Sequence, residues 1–419
     1  MAAPATGDAA AALARASGNA AAAVARDSYG RLVAYLAARS HDIAGAEDAL
    51  GDAFAAALVH WPVDGVPAAP EAWLLTAARR RLHDRWRHGG VEAGAEATLA
   101  IVFGELAATP EPEFPDERLK LMFVCAHPAI DPAARAALML QTVLGLDAAR
   151  IASAFLVAPA TLSQRLVRAK AKIRSAGIAF EVPGADEWPG RLADVLEAIY
   201  AAYGTGWDDV AGTDPERSGL AQEALTLAAM LAQLVGDAAE AWGLLALLAF
   251  CQSRVGARRD GVGDYVPLQA QDTSLWDREL IGVGEAALHR AAALAAPGAF
   301  QLEAAFQSAH TQRRLGASVP DAAIVALYDA LVALRPTIGA IVSRACAVGA
   351  ASGAAAGLAA LAALTAKDVD GYQPYWAALA HLAAAQGDVA TARAARERAV
   401  GLSTDPAVRR FLLRATEPR

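Results

Sequence analysis

Cysteine is scarce in this sequence, and the few that occur are badly spaced for crosslinking. The 419 residues include three, Cys125, Cys251 and Cys346, and no CxxC pair. An odd number of distant thiols argues against a disulfide framework and suits a reducing compartment, so we predict a cytoplasmic protein. Cys125 and His127 alone are too few ligands for zinc, and a buried thiol is the better interpretation. We expect neither a metal nor another cofactor.

Long apolar segments are missing as well. Hydrophobic residues make up 55% of the chain, but many are alanine, and even residues 243–251 are too short to cross a bilayer. The first 27 residues lack the basic start and the leucine-rich core of a signal peptide. We therefore predict no membrane partner, and we interpret residues 1–27 as a leader that is disordered or a frayed helix.

Signals for β-strands and for catalysis are weak. Aromatic residues amount to 6%, and the clusters of valine, isoleucine, threonine and tyrosine that mark strands are rare. P-loop, GxSxG and HExxH motifs are absent, and the GVG at 261–263 is no dinucleotide fingerprint. The histidines are scattered without a catalytic pattern. We therefore predict an all-α fold and no enzymatic activity.

What the sequence does have is an uneven distribution of charge. Its formal net charge is −8, but residues 1–180 contain equal numbers of basic and acidic residues, so the excess acid lies beyond residue 180. A polyanion responds to charge within a Debye length of about 10 Å rather than to the distant total. The acidic balance therefore does not exclude a nucleic-acid partner for the front half.

Composition also divides the chain into blocks. Helical periodicity fills the first block, where Pro62 interrupts the pattern and Pro70 is a favourable first residue for a helix. A stretch that is acidic and bounded by glycine and proline follows, which is typical of a linker. The predicted blocks are a helical domain at 28–88, the acidic linker at 89–115, a second helical domain at 116–182 and a long helical tail at 190–419.

The tail resembles stacked helical hairpins. In a tetratricopeptide (TPR) repeat, small residues let two antiparallel helices approach closely. Six residues of the tail fall at the characteristic positions of that repeat: Trp376, Leu379, Ala380, Gly387, Ala392 and Ala399. Arg396 stands where that repeat has an aromatic residue, so the match is partial. The segment 258–277 interrupts the helices, and its polar residues either contact a ligand or partner or belong to a plain connector: Asp260, Gly261, Gln271, Asp272 and Trp276.

A run of basic residues without any acid occurs at 165–174. The apolar residues of the same segment, Leu162, Leu166, Ala169 and Ile173, are spaced four, three and four apart, which predicts one buried stripe on a helix that begins at Pro159. A short helix precedes it, and this organisation is typical of a helix-turn-helix whose second helix enters the major groove. The alternative is an ordinary solvated helix face.

A second basic cluster follows Pro70, where five arginines surround Trp86. Aromatic rings beside guanidinium groups suit single-stranded or locally opened nucleic acid, because a base can stack while the backbone is held electrostatically. In the other interpretation Trp73 and Trp86 anchor the core, with the arginines extending around them.

The two basic helices and the acidic linker together resemble a bacterial sigma factor of the sigma-70 family, of the extracytoplasmic-function type. AEDALGDAFAAALVHW and PEAWLLTAARRRLHDRWR resemble region 2, and LDAARIASAFLVAPATLSQRLVRAKAKIR resembles region 4. FVCAHPAIDPAARAALML and GIAFEVP point to the subgroup with a C-terminal TPR-like extension. The resemblance implies that core RNA polymerase and promoter DNA are the partners, and that the protein recognises −35 and −10 elements and melts the latter.

The resemblance also assigns roles to residues. The polymerase-binding set is Glu47, Asp48, Asp52 and Phe54. The set that binds the −10 strand is Trp73, Arg79, Arg80, Arg81, Asp84, Arg85 and Trp86. The set on the −35 recognition helix is Thr161, Ser163, Gln164, Arg165, Arg168 and Lys172.

Three positions depart from the family pattern. Gly51 stands where a glutamine is usual, which costs about 1 kcal/mol of helix stability relative to alanine. Arg80 replaces an asparagine, and Leu156 replaces a glycine of the turn.

Two further hypotheses stay open on the sequence alone. The chain could be a one-component helix-turn-helix regulator with a TPR-like sensor, which has no use for a polymerase-binding helix. It could also be a scaffold whose basic patches are incidental, which predicts no salt-sensitive DNA binding. For the acidic tail we expect a regulatory role, either by masking the DNA-binding faces or by contacting polymerase or a regulatory protein.

Overall fold

The computed structural model describes residues 5–88, 116–155, 157–184, 186–207, 215–365 and 369–414. Of residues 5–14, 26, 86–88, 153–154 and 215–218 only the backbone is described. The predicted acidic linker lies outside the described residues. The predicted all-α fold is confirmed: within these ranges there is no strand, and a single isolated antiparallel bridge joins Arg259 and Tyr265.

The chain forms two compact units, residues 1–202 and 203–419. The helices of the first unit are α1 (Ala5–Ser40), α2 (Ile43–Asp64), α3 (Pro70–His88), α4 (Arg118–Cys125), α5 (Pro132–Thr142), α6 (Ala148–Ala154) and α7 (Pro159–Ser175). Helix α8 (Leu192–Trp207) runs through the boundary. None of the helices in the described ranges combines the length and the apolar character that a bilayer-crossing segment needs.

Helices α1 to α3 pack on one another through small residues. On α2 the buried positions include Ala46, Ala49, Ala53 and Ala57, which follow the helical repeat and end at Trp61. Alanine at these positions lets the neighbouring helix backbones approach closely and leaves the other faces of α2 for polar residues. In the structure α1 to α3 belong to the same compact unit as the helices that follow, up to residue 202.

Two local expectations differ from the structure. Helix α1 is continuous from Ala5 to Ser40, so the predicted leader and the start of the first block form one helix. Helix α2 continues through Pro62 to Asp64 instead of stopping at the proline. Because Pro62 lies in the last turn, few backbone hydrogen bonds beyond it are lost, and the usual cost of an internal proline is reduced.

Helices α4 to α7 complete the first unit and pack closely against α1. Gly30 on α1 faces the backbone carbonyl of Val143, which follows α5, and a Cβ at that glycine would overlap the carbonyl oxygen. Helix α7 begins at Pro159 as predicted, and its buried residues are Leu162, Leu166, Ala169 and Ile173. Arg135 on α5 donates to Asp194 on α8 at 2.8 Å, so the first unit extends beyond the predicted start of the tail at residue 190.

The second unit is a succession of helical hairpins. Its helices after α8 are α9 (Pro215–Val235), α10 (Ala239–Gln252), α11 (Arg278–Ala293), α12 (Ala299–Arg314), α13 (Asp321–Leu334), α14 (Ile338–Ser352), α15 (Ala354–Leu361), α16 (Gln373–Gln386), α17 (Val389–Leu402) and α18 (Pro406–Arg414). Gly387 ends α16 with φ 87°, a left-handed conformation that glycine adopts readily, and Asp388 caps α17. Glu240 on α10 accepts from the first amides of α12, Phe300 and Gln301, at 3.0 Å each.

The segment between α10 and α11 consists of short 3-10 turns and the isolated bridge, in agreement with the predicted irregular loop. Asp260 accepts from the amides of Val262 and Asp264 at 3.0 and 2.9 Å, and Asp272 caps one of the turns. Gln271 and Trp276 are buried in the described structure. The loop is therefore ordered by its own side chains.

We predict that the Asp116–Arg118 pair stabilises the first unit in a pH-dependent way. Arg118 is 5% exposed and donates to both Asp116 oxygens at 2.6 to 3.1 Å. Burial tends to raise the pKa of Asp116, but the hydrogen bonds and charge of Arg118 outweigh it and hold that pKa below its usual value. Asp116→Asn should lower the free energy of unfolding by about 2–3 kcal/mol at pH 7, since it removes a carboxylate that forms a charged hydrogen-bonded pair with a buried guanidinium.

Urea denaturation at stepped pH tests this expectation. A depressed carboxyl pKa contributes stability above the unfolded value of about 3.9, and that contribution is lost as the pH falls through the folded value. The difference between wild type and Asp116→Asn should therefore narrow below about pH 4. The exposed Asp64→Asn is the control, and an equal effect of both substitutions at pH 7 would contradict the prediction.

Candidate nucleic-acid and protein interfaces

The outer face of α7 presents the residues that the sequence assigned to it. Because the apolar stripe is buried, Thr161, Ser163, Gln164, Arg168 and Lys172 are exposed, whereas Arg165 is half-buried. Proline at the first helical position leaves no amide to satisfy there, so the helix begins cleanly and its N-terminal residues are free for contacts. This face can offer hydrogen-bond donors and positive charge to a polyanion.

Two of the basic residues of α7 do not lie on that face. Lys170 forms an ion pair with Glu47 on α2, and Arg174 lies 3.5 Å from Asp42, just before α2. Both members of the Lys170–Glu47 pair are largely buried, with side-chain exposures of 13% and 15%. The predicted recognition helix and the predicted polymerase-binding helix are thus joined directly.

Burial and the neighbouring charges shift the pKa of Glu47 in opposite directions, and on balance that pKa is raised. Burial raises the pKa of Glu47, the charge and hydrogen bond of Lys170 oppose that rise, and neighbouring Asp48 and Asp42 add to it. Burial also raises the pKa of Tyr29, with Glu47 and Asp48 contributing to the same direction. Lys170 is therefore the group that keeps a carboxylate tolerable at this position.

Helix α2 carries an exposed stripe that combines acid and apolar residues. Asp48, Asp52, Val59 and Val63 are spaced four, seven and four apart, which places them on one helix face. Val59 and Val63 are 68% and 81% exposed, a large exposure for apolar residues of one helix. We call these four residues the α2 stripe.

The valines of the α2 stripe were missed by the sequence reasoning. The signal that could have found them is their phase: they fall opposite the alanines that fill the buried side of α2. Phe54, by contrast, is half-buried, and Gly51 lies between Asp48 and Asp52 with open space at its Cα. The stripe is suited to a partner surface that offers both basic and apolar groups.

The arginines of α3 have different surroundings. Arg79 donates to the hydroxyl of Tyr35, a buried residue of α1, and lies 5.1 Å from the centre of its ring. Arg80 and Arg81 are exposed, and so is Asp84. Arg79 is therefore part of the packing between α1 and α3, whereas Arg80 and Arg81 face solvent.

Of the remaining predicted residues of α3, Arg85 contacts α2 and Trp73 packs against its last turn. Arg85 pairs with Asp48 at 2.9 Å and with Asp52 at 3.4 Å, so it contacts two residues of the α2 stripe. Trp73 is half-buried and packs edge-on against buried Trp61, with ring centres 5.6 Å apart. The side chain of Trp86 lies outside the described residues.

These groups meet around a polar cavity of about 540 Å³ in the first unit. Its charged lining residues are Glu47, Asp48, Asp52, Arg85, Asp147 and Lys170. The structure thus brings the predicted polymerase-binding acids together with one arginine of the predicted −10 set and with a base of α7. Each of these acids already has a basic neighbour within the same unit.

Comparisons with known proteins match separate parts of the chain. Residues 25–90, which include α2 and α3, match the family model described as sigma-70 region 2. Residues 191–292 match a family of unknown function, DUF6596. Over 382 residues the chain is 34% identical to "Uncharacterized protein R00370" of Rhizobium meliloti (strain 1021), covering 90% of this chain and 89% of that protein. No solved structure matches the chain.

We predict that Lys170 is required to keep Glu47 charged and buried. Lys170→Met should lower the free energy of unfolding by about 2–4 kcal/mol, because one member of a largely buried ion pair is left alone. The double variant Glu47→Gln/Lys170→Met should recover most of that loss, since neither charge then remains. Urea denaturation at pH 7 measures the cycle.

Lys172→Met provides the matched control for this cycle. Lys172 lies on the same helix but is exposed, and its removal should change stability by less than about 0.5 kcal/mol. Equal losses for the two lysines, or a double variant no more stable than Lys170→Met, would show that the pair has no special role.

Proposed function

Residues 25–90 match sigma-70 region 2, and on that premise we propose that the chain is a sigma-70 family sigma factor of the extracytoplasmic-function type that directs promoter-specific initiation. A role in transcription initiation, with core RNA polymerase and promoter DNA as partners, follows from the region 2 match. The finer assignments are ours: α2 binds polymerase, α3 opens the −10 element, and α7 reads the −35 element in the major groove.

The α2 stripe is the observation that carries this proposal. It lies inside the matched residues 25–90, and it exposes acid beside two valines on a helix whose opposite side is fully buried. A monomer gains nothing from exposing these valines, whereas a partner surface would cover them. Acidic residues at the same surface add specificity and a faster association with a basic partner face.

The DNA contacts would come from the two remaining basic surfaces. Arg80 and Arg81 are exposed beside the bundle, where they could hold the phosphates of an opened strand while stacking offsets the few kcal/mol of base extrusion. On α7, Gln164 and Arg168 lie near the helix start and face solvent, as base-edge and phosphate contacts in a major groove require.

Polymerase and DNA would have to displace pairs that exist within the first unit. The contacts of Arg85 with Asp48 and Asp52 are solvent-exposed, and such pairs contribute less than about 1 kcal/mol each, so they open easily. The Lys170–Glu47 pair is largely buried and would resist opening more strongly. We propose that, when polymerase binds the α2 stripe, Arg85 releases Asp48 and Asp52 and binds a DNA phosphate instead.

For the tail we propose a regulatory role in the cytoplasm, through polymerase or a regulatory protein. Its support is the charge distribution, because the whole net charge of −8 lies beyond residue 180. Its TPR-like character remains part of the proposal, supported by the hairpin of α16 and α17 around Gly387.

Binding of core polymerase tests the first assignment. Val59→Asp should weaken binding of purified core enzyme at least tenfold, because a charge is introduced into the apolar part of the contact. Val389→Asp is the matched control, since Val389 is an equally exposed valine on a helix of the tail, with 76% exposure. If both variants bind core enzyme like the wild type, α2 is not the docking surface.

Promoter opening and promoter selection test the DNA assignments. In transcription with core enzyme and genomic fragments, Arg80→Ala/Arg81→Ala should retain core binding but lose permanganate-reactive thymines at the −10 element. Arg168→Ala should weaken binding of promoter duplex and reduce its salt dependence, because one phosphate contact is lost. Binding of duplex DNA without any binding of core enzyme would instead favour a one-component regulator.

A further inference from the structure

The second unit contains an open cavity of about 1040 Å³, a size common for sites that hold small organic molecules. Its walls come from the loop that precedes α11, from the central helices α12 to α14, and from α16 to α18. The loop and the last helix meet: Asp264 pairs with Arg410 and Arg414, and the rings of Tyr265 and Phe411 pack edge-on at 5.3 Å. These contacts join segments about 146 positions apart and close one side of the cavity.

Two arginines of this part of the unit, Arg254 and Arg258, have neutral hydrogen-bond partners, and the first is buried while the second is half-buried. Arg254 is 6% exposed and donates to the carbonyl of Phe250 at 3.2 Å and to Gln307 at 2.6 Å. Arg258 lines the cavity, donates to the carbonyl of Trp207, and lies 3.6 Å from the centre of the Trp207 ring. Neither guanidinium pairs with a carboxylate among the residues that the structure describes.

This arrangement is unusual because a charge that leaves water ordinarily meets an opposite charge. Hydrogen bonds to neutral carbonyls and a ring face offset only part of the desolvation of a guanidinium. Burial lowers the pKa of Arg258, which expresses the same unfavourable environment. An anion at Arg258 would supply the missing counter-charge.

The other charged groups of the cavity do not cancel this positive end. Arg313 is paired with Asp321 at 2.7 Å, and Asp405 accepts from the first amides of α18. Burial lowers the pKa of His310, and Arg313 and Arg254 lower it further, so this imidazole is neutral at pH 7. Arg314 donates to the backbone carbonyl of Gln271 at 2.9 Å and adds positive charge nearby.

The rest of the wall is apolar and aromatic. Tyr328 stacks on Phe306 with ring centres 4.6 Å apart, and Ile324, Val342 and Phe411 line the same cavity. A cavity with an apolar wall and one cationic end is complementary to a molecule with an apolar body and an anionic group at one end.

We propose that this cavity binds a small organic anion, with a carboxylate, sulfonate or phosphate group at Arg258 and an aromatic or aliphatic body against Tyr328 and Phe411. The site lies in the unit that follows the region 2 and α7 surfaces, so it does not depend on the proposed role in initiation. It gives the loop 258–277 a purpose, because that loop supplies Arg258 and the contacts that close the wall.

A pair of fluorescent probes tests the proposal on the full-length protein. 8-Anilino-1-naphthalenesulfonate carries the anionic group, and N-phenyl-1-naphthylamine has the same rings without it. The sulfonate should bind at one site per chain and at least tenfold more tightly than the uncharged probe. Arg258→Met should weaken the sulfonate at least tenfold and leave the uncharged probe within twofold, whereas Arg258→Lys should retain most of the sulfonate binding.

Further variants separate an anion site from a structural arginine. Arg258→Met removes a hydrogen bond to the Trp207 carbonyl and a contact with the Trp207 ring but breaks no ion pair of the described structure, so the melting temperature should fall by only a few degrees. Ala350→Trp, at an exposed cavity residue, should exclude both probes, and Arg393→Ala on α17, which is 77% exposed and does not line the cavity, should change neither. The proposal is overturned if Arg258→Met keeps sulfonate binding, if it loses both probes, or if Ala350→Trp still binds the sulfonate.

Discussion

A charged group that leaves water has to meet an opposite charge or an equivalent set of hydrogen bonds, and much of this protein is arranged around that requirement. In the first unit Lys170 meets Glu47, and Arg118 meets Asp116. In the second, Asp264 meets Arg410 and Arg414. The Arg118–Asp116 pair is local, but the Lys170–Glu47 and Asp264–Arg410 pairs join elements that lie more than 100 residues apart, so buried charge helps to decide which helices are neighbours.

The same requirement explains why the acids of α2 are not simply a surface waiting for a partner. Glu47 is held by a base of α7, and the outer acids are held by Arg85 of α3. These pairs differ in burial, and therefore in how readily they exchange. The exposed pairs can open at little cost, while the buried one holds the basic helix α7 against α2 until a stronger contact replaces it. The same acids of α2 therefore contribute to the fold and are available to a partner.

In the tail, two arginines lack an oppositely charged partner among the described residues. Arg254 is buried and Arg258 is half-buried, their partners are carbonyls, an amide and an indole ring, and Arg258 lines a large cavity. Arg118, Arg191 and Asp264, which are also buried, do have oppositely charged partners, so an exception next to a cavity is informative. Both arginines lie within residues 191–292, which match a family of unknown function, so the presence of arginine at these two positions can be examined in other members of that family.

Local sequence was sufficient for much of the architecture. The stripe Leu162, Leu166, Ala169 and Ile173 and the starts at Pro70 and Pro159 follow from helical periodicity and from the geometry of proline. It was not sufficient for Arg79 and Arg85, which share one basic helix but differ in partners. Nor could it show that Lys170 turns away from the outward face of α7, because partners for these side chains come from helices dozens of residues away.

The amino-acid sequence by itself determined the helical class, the positions of the helices, and the faces that would be apolar, since these depend on residues within one or two turns. Only the tertiary structure decided which acids and bases would meet, and that Arg254 and Arg258 would be buried and half-buried, respectively, without a carboxylate partner among the described residues. The physical reason is that electrostatic pairing and burial depend on distances in space, which a helical repeat does not encode.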